Sequence, residues 1–256
     1  PDADDDLARQ AGASGRRRQV SQAEVLTGVL ARVERARAAG QAPLVLLDLD
    51  DTLLATALRH VRIMAEFAKG RPRAAALAKV SPEAVRYTVT ETAHAAGVDD
   101  EGLLAELKDF WFARFFTNEY LTEDDQVPGA AEFCRLIVRR GGVPAYFTGR
   151  DEGMREGTLR NLARHGFPLP GEDGAGPALL VLKDKFETPD LEFKRKGLDF
   201  LAAHGSVEAG FENEPAHINL FDERFPEATN VFVDTKHSGK PIRLKAHLPV
   251  VKDFRF

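Results

Sequence analysis

A chain of 256 residues is long enough for one large α/β domain, or for a core domain that carries an insertion. Its formal net charge of -5 and charged fraction of 29% lack the basic excess that is typical of nucleic-acid-binding proteins, so we expect no nucleic-acid partner. No apolar run approaches the roughly 18 residues of a membrane span and no signal-peptide pattern precedes the first helix, so we expect no membrane partner and a cytoplasmic location.

The N-terminal part of the chain changes character at residue 21. Residues 1–20 hold an acidic cluster and three consecutive arginines without an apolar period, which predicts a mobile tail. Ser21 and Glu24 then form a capping box, and apolar residues recur at helical spacing up to Gly40. This pattern predicts a helix that packs on the core.

An aliphatic run at residues 44–47 ends abruptly in Asp48, Asp50 and Asp51. Such a run predicts a strand buried on both faces of a parallel sheet, and parallel sheets place their ligand sites at the carboxyl ends of strands. Residues two apart in an extended chain point to the same side, so Asp48 and Asp50 face one site, where a cation best relieves their repulsion. The alternative interpretation is a polar strand end that leads into a turn or caps a helix, which Asp51 and Thr52 would also suit.

Residues 55–125 lack strand-like runs and consist of helix-length segments separated by glycine and proline, which predicts an inserted helical unit. The segment 103–121 carries more aromatic residues than one face of a helix can hold. Packing is one explanation of this density, and a lining for a substrate cleft is the other.

From residue 128 onward, helices and strands alternate, which predicts βαβ units and a parallel sheet. The predicted strands are 44–47, 143–147, 178–182, 207–211 and 231–233, and the predicted later helices are 128–140, 151–165, 194–203 and 215–221. Cys134 is the only cysteine, and we expect it to be buried in the first of these helices. We therefore predict an α/β fold: a three-layer Rossmann-like core (residues 21–54 and 126–256) with a parallel sheet of about five strands, and an inserted all-helical cap (residues 55–125).

Several of the predicted strands end in polar residues, namely 48–52, 148–150, 212–214 and Asp234. In a parallel sheet these ends lie along one edge. Carboxylates, a hydroxyl and a lysine gathered there match the needs of phosphoryl transfer, which are a nucleophile, a metal and positive charge around the phosphoryl oxygens.

Four segments resemble the motifs of the haloacid-dehalogenase-like (HAD) hydrolase superfamily, in particular its phosphatase branch with a helical cap. Asp-Leu-Asp-Asp-Thr at residues 48–52 resembles motif I, and Phe-Thr-Gly-Arg at 147–150, preceded by Pro-Gly-Ala at 128–130, resembles motif II. Lys194 resembles motif III, in preference to Lys183, Lys185 and Lys196, and residues 212–218 resemble motif IV. The resemblance covers roughly residues 43–234.

The resemblance implies an aspartyl-phosphate mechanism. Asp48 would be the nucleophile and Asp50 the general acid and base, while Thr148 and Lys194 would be catalytic and bind the phosphoryl group. Gly149 and Arg150 would complete the binding site for a small phosphorylated substrate.

The resemblance also implies a Mg²⁺ cofactor, held by Asp48, by the carbonyl of Asp50, and by Glu212 or Asn213. Motif IV usually has aspartate where this chain has Glu212 and Asn213. Glu212 could be an unusual ligand, Glu214 or Asp234 could substitute, or metal binding could be weakened in a protein that has lost catalysis.

The expected function is that of a Mg²⁺-dependent phosphatase acting on a small phosphorylated metabolite. Two alternatives stay open. The same residues could transfer the phosphoryl group to a small hydroxyl acceptor, or the chain could be a catalytically weak HAD-like protein that binds a phosphorylated ligand or a partner protein.

Overall fold

The computed structural model of the chain describes residues 20–256, so the tail predicted for residues 1–20 lies outside the described residues except for Val20. The strands of the described residues are β1 (Pro43–Leu47), β2 (Leu54–Ala55), β3 (Asp125–Gln126), β4 (Val143–Asp151), β5 (Leu179–Lys183), β6 (Ser206–Glu212), β7 (Thr229–Val233) and β8 (Val250–Val251). The α-helices are α1 (Gln22–Ala38), α2 (Ala57–Ala68), α3 (Val89–Ala95), α4 (Glu101–Phe115), α5 (Asn118–Leu121), α6 (Ala130–Arg139), α7 (Arg155–Arg164), α8 (Asp190–Ala202) and α9 (Pro215–Arg224).

The main sheet has six parallel strands in the order β5-β4-β1-β6-β7-β8. This confirms the predicted α/β fold with a parallel sheet, which has one strand more than expected. The additional strand, β8, has only two residues, too few to carry a periodic signal in the sequence.

Helices cover both faces of the sheet. Val45 and Leu47 of β1 belong to a hydrophobic cluster with α1 and α6, whereas Leu44 and Leu46 belong to a second cluster with α8 and α9. All five residues of β1 are buried, so the predicted burial of this strand on both faces is confirmed. Cys134 is buried within α6, as predicted.

Two helix boundaries follow local capping chemistry. The capping box of Ser21 and Glu24 is present at the start of α1, as predicted. The helix predicted for residues 194–203 begins four residues earlier, at Asp190, because Pro189 caps it and the acidic Asp190 and Glu192 suit the positive end of the helix.

The segment between β2 and β3 contains α2 to α5, together with 3-10 turns at Pro72–Lys79 and Pro82–Ala84. It has a hydrophobic cluster of its own, which includes Met64, Phe67 and Leu107. Strands β2 and β3 pair antiparallel at its base, a two-stranded ribbon that the all-helical prediction did not contain, since each strand has two residues. The domain limits at residues 55 and 125 stay a prediction. Among the helices described, none is both long and apolar enough to cross a membrane.

Candidate active site

The carboxyl ends of β1, β4 and β6 meet at one edge of the sheet. Asp48 follows β1 directly, and its backbone N–H continues the sheet by donating to the carbonyl of Phe211 at 3.1 Å. Thr148 lies in β4 and is 1% exposed, while Asp48 retains 8% exposure. Both residues line the same cavity, so the structure brings together these two predicted site residues.

Lys194 reaches this edge from the second turn of α8. Its Nζ lies 3.1 Å from Asp48 Oδ1 and 3.1 Å from Glu212 Oε2, and it also donates to the carbonyl of Phe147. The competing lysines are occupied elsewhere or exposed. Lys183 donates to Asp190 at 2.8 Å, and Lys196 pairs with a carboxylate of its own helix at the surface.

Two carboxylates share the single ammonium of Lys194. Burial, and after it the charge of Glu212, raise the pKa of Asp48 to about 8 although Lys194 opposes the shift. Burial would also raise the pKa of Glu212, but Lys194 and His217 outweigh this effect and lower the pKa to about 2. Ionisation of both carboxylates would leave more negative charge than Lys194 alone compensates, so a further cation beside Asp48 would favour its ionised form.

Asp50 belongs to a different group of charges. Its Oδ1 accepts hydrogen bonds from Arg59 at 3.1 Å and from Arg150 Nε at 3.0 Å. Both arginines also bind Asp124, at 2.5 Å and 2.9 Å. Burial alone would raise the pKa of Asp50, but Arg150 and Arg59 lower it to about 2.

These contacts bear on two predicted roles. The role predicted for Arg150 in binding the phosphoryl group stays a prediction. Its guanidinium donates to Asp50, Asp124 and the hydroxyl of Thr158, so the structure shows it as a partner of Asp50. Asp50 is ionised in this arrangement, so it must take up a proton before it can act as an acid.

The end of β6 presents Asn213 to the same edge. The Oδ1 atom of Asn213 accepts from the Thr52 hydroxyl at 3.1 Å, and the same hydroxyl lies 3.4 Å from Asp48 Oδ2. Thr52 thus draws oxygens of Asp48 and Asn213 together. Glu212 also lines the cavity, but its carboxylate turns inward: Oε2 lies 3.1 Å from Lys194 Nζ, and Oε1 accepts the backbone N–H groups of Asn213 and Glu214 at 3.1 and 3.3 Å.

The remaining alternatives for motif IV are less suited to a metal. The carboxylate of Glu214 accepts from the backbone and hydroxyl of Ser238, and Asp234 is exposed. Within residues 20–256, no group of three or more His, Cys, Asp or Glu side chains forms a metal cluster. The donors left are the Asp48 carboxylate, the Asp50 carbonyl and the Asn213 amide oxygen. These hard oxygens fit Mg²⁺, although they include only one carboxylate.

Comparison with known proteins was made for the sequence and for the fold. No family model matches the sequence, and no curated protein matches it either. A candidate phosphatase from Clostridium difficile is similar in structure, with a TM-score of 0.55, 13% identity, and coverage of 82% of this chain and 94% of that one. A haloacid dehalogenase-like family hydrolase from Streptococcus pneumoniae has a TM-score of 0.51, 10% identity, and coverage of 84% of this chain and 95% of that one.

A predicted phosphoglycolate phosphatase from Haemophilus somnus has a TM-score of 0.51, 12% identity, and coverage of 82% of this chain and 94% of that one. The chain has the haloacid-dehalogenase-like fold. Identities this low establish the fold and leave the activity to be argued from the site.

In this HAD-like fold, a cavity of about 560 Å³ extends from the sheet edge that carries Asp48 to the inserted helices. Its lining includes Asp48, Thr148 and Gly149 at that edge, and Trp111, Phe115 and Phe116 of the insertion form one wall. The aromatic residues predicted at 103–121 thus serve both explanations, because Phe110 packs against the hydrophobic cluster of the insertion while these three line the cavity.

The sequence analysis of the HAD-like motifs missed Arg59 and Asp124. The side chains of both residues are fully buried, and they pair with each other and with the catalytic edge. A signal for Arg59 was present, since it is spaced by four from Ile63 and by eight from Phe67, on the buried side of α2. Asp124 gave no comparable signal, because it lies in an irregular acidic stretch next to β3.

Proposed function

We propose that the protein is a Mg²⁺-dependent phosphatase that hydrolyses a small phosphorylated metabolite through an aspartyl-phosphate on Asp48. The observation that carries this proposal is the convergence of Asp48 and Thr148, which line one cavity, with the buried Lys194, whose Nζ lies 3.1 Å from Asp48 Oδ1. A carboxylate beside a buried ammonium and a hydroxyl has the parts that in-line phosphoryl transfer requires.

In the first step, Asp48 attacks phosphorus and the bond to the leaving oxygen breaks. Lys194 holds the carboxylate at 3.1 Å and offsets the charge of the incoming phosphoryl group. The Thr148 hydroxyl, which accepts the N–H of Arg150 at 3.1 Å, has its own proton available for a phosphoryl oxygen. These contacts orient the nucleophile and stabilise the transferred group.

In the second step, water hydrolyses the acyl phosphate, and Asp50 accepts a proton from that water. An ionised Asp50 suits this role without further change. For the first step it must donate a proton, and the negative charge of a bound phosphate raises the pKa of a nearby carboxyl group. Substrate binding itself therefore favours the protonated form.

Asp48, the carbonyl of Asp50 and the amide oxygen of Asn213 would hold the metal ion. When bound, Mg²⁺ supplies positive charge that screens the nucleophile from the phosphoryl oxygens.

The test is hydrolysis of p-nitrophenyl phosphate by the wild-type protein and by Asp48→Asn, each with and without Mg²⁺. We expect a Mg²⁺-dependent rate that is lost in Asp48→Asn and retained in Asp234→Asn, which changes an exposed carboxylate at a neighbouring strand end. An equal rate in Asp48→Asn and wild type would overturn the proposal.

A second candidate is a catalytically weak protein that binds a phosphorylated ligand. The presence of Asn213 favours it, because an amide in place of a carboxylate lowers the negative charge around the metal. Absence of turnover over a broad panel of phosphoesters, in protein that still binds inorganic phosphate, would support this candidate over the phosphatase.

A further inference from the structure

One wall of the cavity is a continuous aromatic surface. The ring centroids of Trp111 and Phe115 are 4.5 Å apart and stacked, and Phe116 lies 5.5 Å from Trp111 and 5.1 Å from Phe115 in edge-to-face geometry. All three residues line the cavity that begins at Asp48. If the phosphoryl group of a ligand lies at Asp48, the rest of that ligand occupies a cavity lined by these aromatic side chains.

Contacts with two side chains of α2 hold these rings in place. The indole Nε1 of Trp111 donates to His60 Nδ1 at 3.1 Å, and the His60 ring stacks on the indole at 5.8 Å between centroids. The Phe115 ring also packs against the guanidinium of Arg59, at 4.1 Å. A surface fixed in this way loses little conformational entropy when a ligand binds it.

The charges around the cavity limit what the rest of the ligand can carry. The lining includes the carboxylates of Asp51, Asp190 and Glu214 in addition to those at the catalytic edge. Apart from its histidines, the basic residues of the lining are Lys108, which is exposed, and Arg150, whose guanidinium is already paired with Asp50 and Asp124. A second strongly anionic group away from the phosphoryl site would therefore be repelled.

We infer that the cavity takes a phosphomonoester whose body carries a planar aromatic or heteroaromatic ring and no second strongly anionic group. The inference rests on the proposed phosphatase function, because that function places the phosphoryl group at Asp48. An aromatic ring of any type stacks favourably on aromatic side chains. A polyol body, in contrast, offers this wall no matching surface. A volume of about 560 Å³ lies in the range of small-molecule sites.

Trp111 provides the measurement, because it is the only tryptophan of the chain. The Asp48→Asn protein is titrated with adenosine 5'-monophosphate and phenyl phosphate, and with glycerol 3-phosphate and glucose 6-phosphate as polyol monoesters. Dissociation constants come from calorimetry, and ring contact from the quenching of tryptophan fluorescence. We expect the aromatic esters to bind at least tenfold more tightly and to change the fluorescence. Fructose 1,6-bisphosphate tests the charge limit and is expected to bind no better than the polyol monoesters.

A pair of variants locates the effect. Phe116→Leu in the Asp48→Asn background is expected to weaken the binding of the aromatic esters severalfold and to leave the affinity for the polyol esters unchanged. Phe200→Leu is the control, because Phe200 is 51% exposed on α8 and does not line the cavity. The ligand comparison in Asp48→Asn alone decides the inference if Phe116→Leu fails to fold.

The outcomes separate the inference from the proposed function. Equal affinity for both ester classes, tighter polyol binding or no binding of any probe overturns the inference, even if wild-type protein hydrolyses phosphomonoesters. Tight aromatic binding with fluorescence change, in a wild-type protein that hydrolyses none of the probes, supports the inference and counts against the phosphatase.

Discussion

At the scale of single residues, Lys194 is the group on which the catalytic edge depends. It is 1% exposed, and its ammonium lies 3.1 Å from each of two carboxylates, those of Asp48 and Glu212. Burial lowers the pKa of Lys194, but the charges of the two carboxylates outweigh it and raise the pKa. The ammonium therefore stays charged over the neutral pH range, as its proposed role in binding a phosphoryl group requires.

Replacing Lys194 by methionine is expected to abolish measurable phosphomonoester hydrolysis and to lower the free energy of unfolding by roughly 3–5 kcal/mol, because two buried carboxylates lose their counter-ion. Hydrolysis of p-nitrophenyl phosphate and urea unfolding measure the two effects. Lys196→Met, at an exposed position on the same helix, is expected to change the unfolding free energy by no more than about 0.5 kcal/mol. Loss of activity in Lys196→Met with retention in Lys194→Met would transfer the role to the other lysine.

The sequence allowed the positions of Asp48 and Thr148 to be predicted, because both follow from one rule about the carboxyl ends of parallel strands. The surroundings of Glu212 and Asn213 could not be predicted in this way. Whether a carboxylate turns inward to Lys194 or outward to a metal depends on its rotamer, and the rotamer is set by contacts with distant parts of the chain.

At the scale of elements, the close approach of α8 to β4 positions Lys194. Gly197 lies one turn after Lys194, and a Cβ atom there would overlap the ring of Phe147, which is fully buried. The carbonyl of this same Phe147 accepts a hydrogen bond from Lys194. The absence of a side chain at Gly197 thus allows the helix to bring the ammonium to the sheet edge.

Gly197→Ala is expected to destabilise the fold by up to about 2 kcal/mol, since overpacking costs typically 1–3 kcal/mol and exceeds the gain of about 1 kcal/mol in helix propensity. Gly28→Ala is the matched control, because a Cβ at this position in α1 has no atom within 4 Å. It is expected to stabilise by roughly 0.5–1 kcal/mol. Urea unfolding of both variants measures the difference, and stabilisation by Gly197→Ala would contradict the packing described here.

Interaction between α2 and α4 depends on a neutral histidine. His60 accepts the indole N–H of Trp111, and burial, followed by the charge of Arg59, lowers the pKa of His60 to about 3 from 6.5. The unfolded chain therefore binds a proton below about pH 6.5 that the folded chain does not bind. Stability is highest above this pH and falls as the pH is lowered toward 3.

The His60 contribution predicts a loss of about 2 kcal/mol in unfolding free energy between pH 7 and pH 5. His60→Gln retains an acceptor for Trp111 but has no titrating group at this position. Its unfolding free energy should therefore fall by about 2 kcal/mol less than that of the wild type over the same pH interval. Urea unfolding of both proteins at the two pH values measures the difference. The same pH dependence in wild type and variant would show that His60 does not contribute.

At the scale of the whole molecule, four charged side chains, three of them buried, join the insertion to the core. Arg59 comes from α2 and Asp124 from the stretch before β3, while Asp50 follows β1 and Arg150 lies in β4. Breaking such a network leaves an unpaired buried charge, which is costly. The network therefore fixes the insertion relative to the sheet edge that carries Asp48. The sequence predicted the insertion from its helical pattern, but these pairs join residues up to 100 positions apart and leave no local pattern.

The proposed metal site likewise combines distant parts of the chain, since Asp48 and Asn213 directly follow two neighbouring strands of the sheet. Asn213→Asp adds a second carboxylate to the donor set, and the affinity for Mg²⁺ is expected to rise at least about tenfold, because ligand charge sets affinity at oxygen sites. The amide of Asn213 also donates to the carbonyl of Lys236, so the metal-free variant should be less stable than wild type.

Calorimetric titration with Mg²⁺ and the rise in Tm that Mg²⁺ produces measure this change independently of turnover. Asn219→Asp is the control, because it adds the same charge on α9 at a residue that does not line the cavity. A rise in Mg²⁺ affinity confined to Asn213→Asp would place the metal beside Asp48, since only that substitution puts the new charge among its donors. Equal affinities in Asn213→Asp and wild type would instead exclude Asn213 as a ligand and leave the inward-facing Glu212 as the remaining acid of motif IV next to Asp48.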